Sequence, residues 1–483
     1  MGIQSSGKDR EPCFTKRVKQ VSIYQKISIK LFTDIREAID MVYNMMHNAT
    51  GPWTGCSYQD TAKYATGEEG KIFVSESDRE ILRKLAGRVV DLAVKEKQQE
   101  KIKLWKDHNA LKTKRPVVFC DPENGWNDII MVGVLQCHGN LARRWELILR
   151  KELFWGEELK DDKPVETFFN VGYTYTESDW AGEKDLVRGG TGGGSYIWEA
   201  PIKNIGDIDK IRVPEIEVDY KVTNDTLELA QEVFEGLLEV RLKGIWWWSL
   251  GFTFDLVKLI GLEKMLMLFY DNPELVHSVN KKISEGYEAK LKFLEDNSLL
   301  HLNNDGTYVG SGGLGYSDEM PAYDFDQSKV RPADMWVHSE SQETSSVSPE
   351  MFDEFIFRYQ LPIIEKFAMA CYGCCEPLDK RWKIIKKIPN LRRVSVSHWA
   401  DNRKMAEYLQ DKYIYSMKPT PADLAVPEID ADHIREKMTR EMEITKGCIV
   451  EVIMKDNHTL GKNPQNLVNW VRIMRQVIDK VYG

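Results

Sequence analysis

Polar and reactive side chains follow three consecutive short apolar segments in the C-terminal part of the chain. The segments lie near 368–373, 391–397 and 413–417, and basic stretches of helix length separate them. The side chains that come directly after them are Cys374, Cys375 and Glu376, then His398, Trp399 and Asp401, then Lys418 and Thr420. Thiol, carboxyl, imidazole and amine groups can transfer protons, act as nucleophiles or bind a metal ion.

The adjacent pair Cys374 and Cys375, followed by Glu376, has two interpretations. Cysteines are often just small buried apolar residues. A thiolate beside a carboxylate can instead hold zinc or activate a nucleophile. Consecutive side chains on an extended strand point to opposite faces, so at most one thiol is expected to face a site unless the strand has already ended. The chain has no pair of C-x-x-C motifs, so the pattern favours a metal site only weakly.

Histidines and aspartates follow several of these segments. His398 and His458 each lie just past one of them, and two histidines at the same face favour acid–base chemistry more than either does alone. Asp305, Asp401 and Asp456 are candidate acids or bases, or caps of the helices that follow. For Asp401, directly before a helical stretch, we expect capping.

Lys418 ends an apolar segment and is followed by proline. A lysine in this position can form a Schiff base, or its ammonium can anchor a phosphate or carboxylate. Nothing in the sequence indicates a lowered pKa, so we expect an anchor.

The elements that position these groups are strands alternating with helices. Strands separated by helix-length segments predict a parallel sheet with right-handed crossovers. From 115 onwards, β-like segments interleave with helices near residues 117, 168, 246, 302, 337, 370, 394, 415 and 451. The predicted fold class is α/β, a (β/α)8 TIM barrel, whose functional groups gather at the carboxyl ends of its strands. An open doubly wound sheet is the alternative.

Two regions are predicted. Residues 1–114 form a mostly helical N-terminal extension, with one long helix over 75–104 for which Ser77 and Glu80 supply a capping pattern. Residues 115–483 form the barrel, with an insertion at about 176–215 after its first strands. The insertion contains RGGTGGGS, which we interpret as a loop because no strand–turn–helix pattern surrounds it.

Composition and charge narrow the function classes. The formal net charge is −9 and no basic face is evident, so nucleic-acid binding is not expected. No apolar run approaches the roughly 20 residues of a membrane span, and no signal-peptide core is present, so a cytoplasmic protein is expected. The eight scattered cysteines fit a reducing compartment. The 14 Trp and 19 Tyr favour an aromatic-lined pocket.

Several motifs together resemble the uroporphyrinogen-decarboxylase superfamily, and in particular its corrinoid-dependent methyltransferases. They are Arg115-Pro116 at the first strand, YGCCEP at Tyr372–Pro377, IPNLRRVSVSHW at Ile388–Trp399, SMKPTPA at Ser416–Ala422 and IMKD at Ile453–Asp456. The resemblance covers roughly 115 to the C-terminus. It implies the barrel fold and does not specify the substrate.

Two departures from the family pattern are informative. The decarboxylases follow their RP strand with a basic R-Q-A-G-R segment, whereas residues 120–124 here are the acidic CDPEN, so porphyrinogen decarboxylation is not expected. The methylcobamide:thiol methyltransferases carry a His-x-Cys zinc pair and a further Cys in the last strand. Here Tyr372 and Asp456 replace the His and the last Cys. Cys374, Glu376 and Asp456 remain the candidate ligands for a zinc ion.

The resemblance implies transfer of a methyl group from a small methylated substrate, with a methoxyarene favoured, to the cob(I)alamin of a separate corrinoid protein. No cobalamin-binding motif is present, so this cofactor is expected on the partner. The catalytic candidates are Glu376, His398 and Asp456. The candidate substrate-binding residues are Trp126, Trp246, Tyr308, Trp336 and Trp399 as an aromatic wall, with Asn304 and Lys418.

Three alternatives remain open. One is a methyltransferase that uses a bound metal to pass methyl from methylcobamide to a thiol or folate. The others are a uroporphyrinogen-decarboxylase-like lyase and an accessory barrel that only binds a corrinoid protein. A homodimer formed through the helical extension is a further expectation.

Overall fold

The structure is a computed structural model that describes residues 72–181, 198–244 and 250–483, with the backbone of Cys56–Ser57, Val187–Arg188 and Tyr196–Ile197 as two-residue strands. The strands of three or more residues are β1 Val117–Cys120, β2 Phe168–Val171, β3 Thr174–Glu177, β4 Ile216–Val218, β5 Glu239–Leu242, β6 Trp336–Ser339, β7 Met369–Tyr372, β8 Leu391–Val396, β9 Ile414–Met417 and β10 Ile449–Met454.

Helices separate most of these strands. The α-helices are α1 Glu76–Ala93, α2 Glu96–Asn109, α3 Trp126–Ile129, α4 Asn140–Leu153, α5 Tyr220–Phe234, α6 Phe252–Ile260, α7 Leu262–Asp271, α8 Pro273–Asp296, α9 Pro349–Phe352, α10 Arg358–Ile364, α11 Trp382–Ile385, α12 Asn402–Leu409, α13 Ala431–Ile444 and α14 Gln465–Tyr482. No helix of the described ranges is long and apolar enough to cross a bilayer.

Six strands form one parallel sheet in the order β1-β10-β9-β8-β7-β6. In its register Met454 lies opposite Cys120, and Tyr372 lies opposite Ser339. The predicted segments near 117, 337, 370, 394, 415 and 451 are these six strands, and the α/β class is confirmed. Because all six strands are parallel, their carboxyl ends meet at one edge of the sheet.

The described strands do not form a closed eight-strand barrel. β2 and β5 pair with each other in a separate parallel pair. Side chains also bond the backbone of the two outer strands of the six-strand sheet. Asp161 and Asp162 accept hydrogen bonds from backbone N–H groups of β1 at 2.9 and 2.8 Å. At the other edge Asn303 accepts from the backbone N–H of Trp336 at 2.8 Å.

One predicted strand is not found, and a second lies largely outside the described residues. The segment 299–305 has no strand, because its contact with β6 runs through the Asn303 side chain. In the segment 244–251, residues 245–249 lie outside the described residues, and Leu250 forms a single parallel bridge to Ser339. The glycine-rich residues 189–195 lie outside them too. β3 and β4, which pair antiparallel, bracket the predicted insertion.

The predicted helix over 75–104 is two helices, because the chain leaves the helical path at Val94 and Lys95. Ser75, not Ser77, caps α1: its hydroxyl accepts from the backbone N–H of Asp78 at 3.1 Å. The capping pattern therefore begins two residues earlier than the sequence interpretation placed it.

One face of the sheet packs apolar side chains against helices, and the other carries buried polar groups. On that polar face the Arg393 guanidinium lies 2.9 Å from the Glu451 carboxylate, and His108 of α2 lies 3.2 Å from it. Burial opposes ionisation of Glu451, but Arg393 and His108 hold its pKa at about 2. These contacts tie α2, the end of the predicted extension, to the sheet.

A glycine-rich loop covers the polar face. Its residues Gly312 and Gly313 have φ angles of +138° and +90°, a region that side chains rarely adopt. A Cβ on Gly312 would lie 2.6 Å from Ile453, and one on Gly313 would lie 2.6 Å from the Arg393 guanidinium. Glycine therefore allows this loop to approach β8 and β10 closely.

Candidate functional site

Several reactive side chains lie together at the carboxyl ends of the strands of the six-strand sheet, some of them singled out by the sequence. Loops after β1, β7 and β10 bring together two thiols, two carboxyl groups and one ammonium group. They belong to Cys374, Cys375, Glu123, Asp456 and Lys455, which we call the edge cluster. Lys455 is buried, Cys374 is partly buried, and Cys375 and Glu123 are exposed.

The two thiols lie side by side. β7 ends at Tyr372, and Gly373 has a φ of +97°, which turns the chain out of the strand. The Sγ atoms of Cys374 and Cys375 consequently lie 3.7 Å apart. The expectation that at most one thiol faces a site applied only to a strand that continues; here the strand has already ended, so both thiols can lie on one side. A Cβ on Gly373 would lie 2.6 Å from Leu378, so glycine is required for this turn.

Cys374 has an acidic thiol. A hydrogen bond from the Cys375 thiol lowers its pKa most, burial opposes this, and the Lys455 charge and the Ser311 hydroxyl lower it further. The resulting pKa is about 7, and the Ser311 Oγ lies 3.4 Å from the Cys374 Sγ. A substantial fraction of this thiol is ionised at neutral pH, which makes it a better nucleophile and ligand.

Lys455 connects the two carboxyl groups of the edge cluster. Its Nζ donates to Asp456 Oδ1 at 2.6 Å and lies 3.7 Å from Glu123 Oε1. The other oxygen of Asp456, Oδ2, lies 3.8 Å from the Cys375 Sγ. Partial desolvation raises the pKa of Glu123 to about 7, and nearby Asp456 and Asp121 add to the increase although Lys455 opposes it. Glu123 is thus an acid that is half protonated near neutral pH.

Glu376 lies beneath the thiols and holds the backbone. Its two oxygens accept from the N–H of Ser341 at 2.8 Å and from the N–H of Cys374 at 2.9 Å. The side chain is buried, and this burial raises its pKa. In this position Glu376 joins the turns after β6 and β7. Its catalytic role remains a prediction.

Glu340, one residue beyond β6, is a buried carboxyl group near Glu376. Burial first, and then the charges of Glu343 and Glu376, raise its pKa well above the usual range. Its Oε2 accepts from the backbone N–H of Gln342 at 2.8 Å. Burial and the two neighbouring carboxyl groups therefore disfavour the charged form of Glu340.

His398 and Trp399 lie after β8 at the rim of this edge. Both are exposed, Trp399 at 71%, and their ring centroids are 4.5 Å apart. Partial burial and the charge of Lys437 lower the pKa of His398. Asp401 caps α12 by accepting from the backbone N–H of Lys404 at 3.2 Å, which confirms the expected capping.

Lys418 lies on the polar face, just beyond the end of β9. It is buried, and its Nζ donates to the carbonyl oxygen of Ser416 at 3.2 Å and to the hydroxyl of the same residue. No carboxylate of the described residues lies within 4.0 Å of this ammonium. Burial lowers its pKa to about 8. Contrary to the sequence interpretation, this lysine has a lowered pKa.

The predicted aromatic wall is not assembled as one surface. Tyr308 lies near the edge cluster. Its ring centroid is 5.7 Å from that of Phe119, and the charges of Lys455 and Glu123 affect the pKa of its hydroxyl group. Trp399 is at the rim, and Trp246 lies outside the described residues. The remaining two tryptophans face the interior.

Trp126 and Trp336 are core residues. Each is at most 1% exposed. Their indole N–H groups donate to the Asp121 carboxylate at 2.8 Å and to the carbonyl oxygen of Gly315 at 2.9 Å. The side-chain amide of Asn304 also bonds within the protein, donating to the carbonyl oxygen of Met320 at 2.8 Å. These contacts fix the loops around the site.

The candidate zinc ligands do not converge. Glu376 uses both oxygens for backbone N–H groups, and Asp456 approaches Cys375 rather than Cys374. Over the described ranges, no three His, Cys, Asp or Glu side chains are arranged to hold a metal ion. A structural zinc site needs four such ligands and a catalytic one needs three. The residues present do not fit a zinc ion.

Sequence reasoning missed Glu123, Lys455 and Ser311 as site residues. In the sequence Glu123 stands only within the acidic segment CDPEN at 120–124, and Lys455 only within the IMKD motif at Ile453–Asp456. The signal that could have found them is the same one that found Cys374, namely their position directly after a strand. Ser311 lies in the glycine-rich loop, whose path over the sheet no local pattern predicts.

Comparisons with known proteins do not assign a family or an activity to the chain. No family model matches the chain, and no curated protein matches it. Among solved structures, the chain is similar to one described as a methyltransferase from Methanosarcina mazei, at 10% sequence identity and a TM-score of 0.35. The similarity covers 62% of this chain and 76% of that chain. At this TM-score it carries no argument about activity.

Proposed function

We propose that the protein transfers a methyl group from a small methylated substrate, with a methoxyarene favoured, to the cob(I)alamin of a separate corrinoid protein. The motifs YGCCEP, SMKPTPA and IMKD, which resemble those of the corrinoid-dependent methyltransferases with their (β/α) barrels, support this activity. The observation that carries it is the edge cluster, in which the carboxyl group of Glu123 lies 3.7 Å from Lys455.

Removing a methyl group from an ether requires an acid. When the carbon–oxygen bond breaks, the methyl group moves to the acceptor without the bonding electron pair. That pair stays on the oxygen, which is a poor leaving group unless it gains a proton. Glu123, with a pKa of about 7 and an exposed side chain, can donate this proton. Lys455 then stabilises the carboxylate that remains.

The other groups of the site have supporting roles in this proposal. Asp456 fixes the Lys455 ammonium at 2.6 Å, and Glu376 holds the turn that carries Cys374. We further propose that Lys418 binds an anionic group of the substrate. His398 and Trp399, exposed at the rim, are available to contact the substrate or the partner protein. The corrinoid supplies the methyl acceptor and is brought by that partner.

An absorbance assay tests the proposal. The purified full-length chain is mixed with reduced cob(I)alamin and a panel of methoxyarenes, methylamines and betaines. Loss of the cob(I)alamin band with one donor class is the expected result. No loss with any donor, together with demethylation of added methylcobalamin by a thiol or folate, would overturn it and support the reverse half-reaction.

A further inference from the structure

The thiols of Cys374 and Cys375 lie close together, whereas adjacent side chains on a strand would point to opposite faces. The Gly373 turn places the two Sγ atoms 3.7 Å apart on the same side of the chain. Cys375 is exposed and Cys374 is partly buried, so the pair lies at the protein surface. The nearest cysteine in sequence, Cys371, is buried and its Sγ accepts from Arg393 at 3.4 Å, so it is not part of the pair.

The distance between the two sulfurs restricts the bond angle at any atom that binds both of them. With bonds of about 2.3 Å, the length of a zinc–thiolate bond, two sulfurs 3.7 Å apart subtend about 107° at a central atom. A two-coordinate ion that prefers linear ligands would need a separation of about 4.6 Å at that bond length. The pair therefore suits a pyramidal centre with bent bonds.

The number of available ligands further restricts which kind of atom can bind the two sulfurs. Among the described residues no three His, Cys, Asp or Glu side chains are arranged to hold a metal ion, and the Asp456 carboxylate beside Cys375 is paired with Lys455, so a tetrahedral metal ion would be left incompletely coordinated. A monosubstituted trivalent arsenical, R–As(OH)2, has two exchangeable positions and a pyramidal centre. Two adjacent thiols replace both hydroxyls and leave the R group towards solvent.

We infer that Cys374 and Cys375 form a binding site for trivalent organoarsenicals. Two As–S bonds form, two As–O bonds break, and the two thiol protons leave with the hydroxyls as two waters. Arsenic stays trivalent and the sulfurs are neither oxidised nor reduced, so no further reactant is needed. The inference goes beyond the proposed methyl transfer and does not depend on it.

The surroundings favour this reaction. Lys455, Ser311 and the Cys375 thiol stabilise the Cys374 thiolate, which is the form that attacks arsenic. The second bond then forms within the same molecule, where the effective concentration of the other thiol is high. An adduct held by both sulfurs should consequently resist an excess of a monothiol and yield to a competing dithiol.

Intact-mass spectrometry with phenylarsine oxide tests the inference on the reduced full-length chain. We expect one equivalent to bind with loss of one water, since this probe carries As=O in place of two hydroxyls. The adduct should survive excess glutathione and be reversed by 2,3-dimercaptopropanol. Cys374→Ser and Cys375→Ser should each lose the glutathione-resistant adduct, whereas Cys448→Ser, which removes a buried cysteine elsewhere, should keep it.

A second measurement covers the case in which a variant folds poorly. Binding should raise the melting temperature of the wild-type chain and leave that of the Cys374→Ser/Cys375→Ser double variant unchanged. A glutathione-resistant adduct that persists in the double variant would overturn the inference. So would a wild-type chain that binds no phenylarsine oxide, or whose adduct is fully removed by glutathione.

Discussion

The Glu376 carboxylate lies 2.9 Å from the backbone nitrogen of Cys374 and accepts its hydrogen bond. Its other oxygen accepts from the backbone N–H of Ser341 at 2.8 Å. One buried side chain thus joins the turns that follow two neighbouring strands, β6 and β7. The position of the reactive thiol depends on this link.

Replacing Glu376 with Gln tests that link. The Gln amide has only one acceptor oxygen, so one buried backbone N–H would face an N–H₂ group. An unsatisfied buried donor costs about 1–3 kcal/mol, so we expect the free energy of unfolding to fall by about that amount. Urea denaturation measures it, with the exposed Glu365→Gln as the matched control. Equal stability of the two variants would show that Glu376 does not hold these turns.

The ionisation of Cys374 can be read from its rate of alkylation by iodoacetamide. With a pKa of about 7, the rate should rise with pH and reach half its maximum near pH 7. Lys455→Met removes a charge that favours the thiolate, so the midpoint should move to higher pH. The exposed Lys446→Met is the control and should not move it. A wild-type midpoint near that of a free thiol, about 8.5, would contradict the electrostatic account.

Glu123→Gln tests the acid. Loss of a general acid typically lowers the rate about 10²–10⁴-fold, so we expect kcat for methyl transfer to fall by that order. In the wild-type chain the rate should fall as pH rises through about 7, because the carboxyl group must be protonated to donate. Glu158→Gln, an exposed substitution outside the cluster, should leave kcat unchanged. A Glu123→Gln variant with wild-type kcat would remove Glu123 from the mechanism.

Lys418→Met tests the anchor for an anionic substrate. A methoxybenzoate should bind better than anisole, and the variant should raise KM for the methoxybenzoate alone. Because burial lowers the pKa of Lys418 to about 8, the ammonium is present below that pH, and KM should rise as pH increases through it. Exposed Lys412→Met is the control. An equal KM for both donors in the wild-type chain would show that Lys418 binds no carboxylate.

Much of the sheet was predictable from the sequence because its strands are short apolar runs between helices. The segment near 302 was not, since its apolar residues resemble a strand while the Asn303 side chain bonds β6 in place of the backbone. The site was predictable in part. Cys374 and Asp456 follow strands and were found that way, whereas the 3.7 Å sulfur separation depends on the turn at Gly373.

The aromatic residues show a second limit of sequence reasoning. Trp126 and Trp336 are of a residue type that often lines pockets, but their indole N–H groups donate hydrogen bonds to partners inside the core. A tryptophan with a buried partner and one that faces a substrate look the same in the sequence. Only their three-dimensional contacts separate them.

The measurement that tests the proposed function most directly uses a donor with a trideuterated methoxy group. The full-length chain, reduced cob(I)alamin and this donor are incubated, and the cobalamin product is analysed by mass spectrometry. The account predicts methylcobalamin that carries the three deuterium atoms, formed far more slowly by Glu123→Gln. Absence of deuterated methylcobalamin with every donor class, under conditions where cob(I)alamin remains reduced, would contradict it.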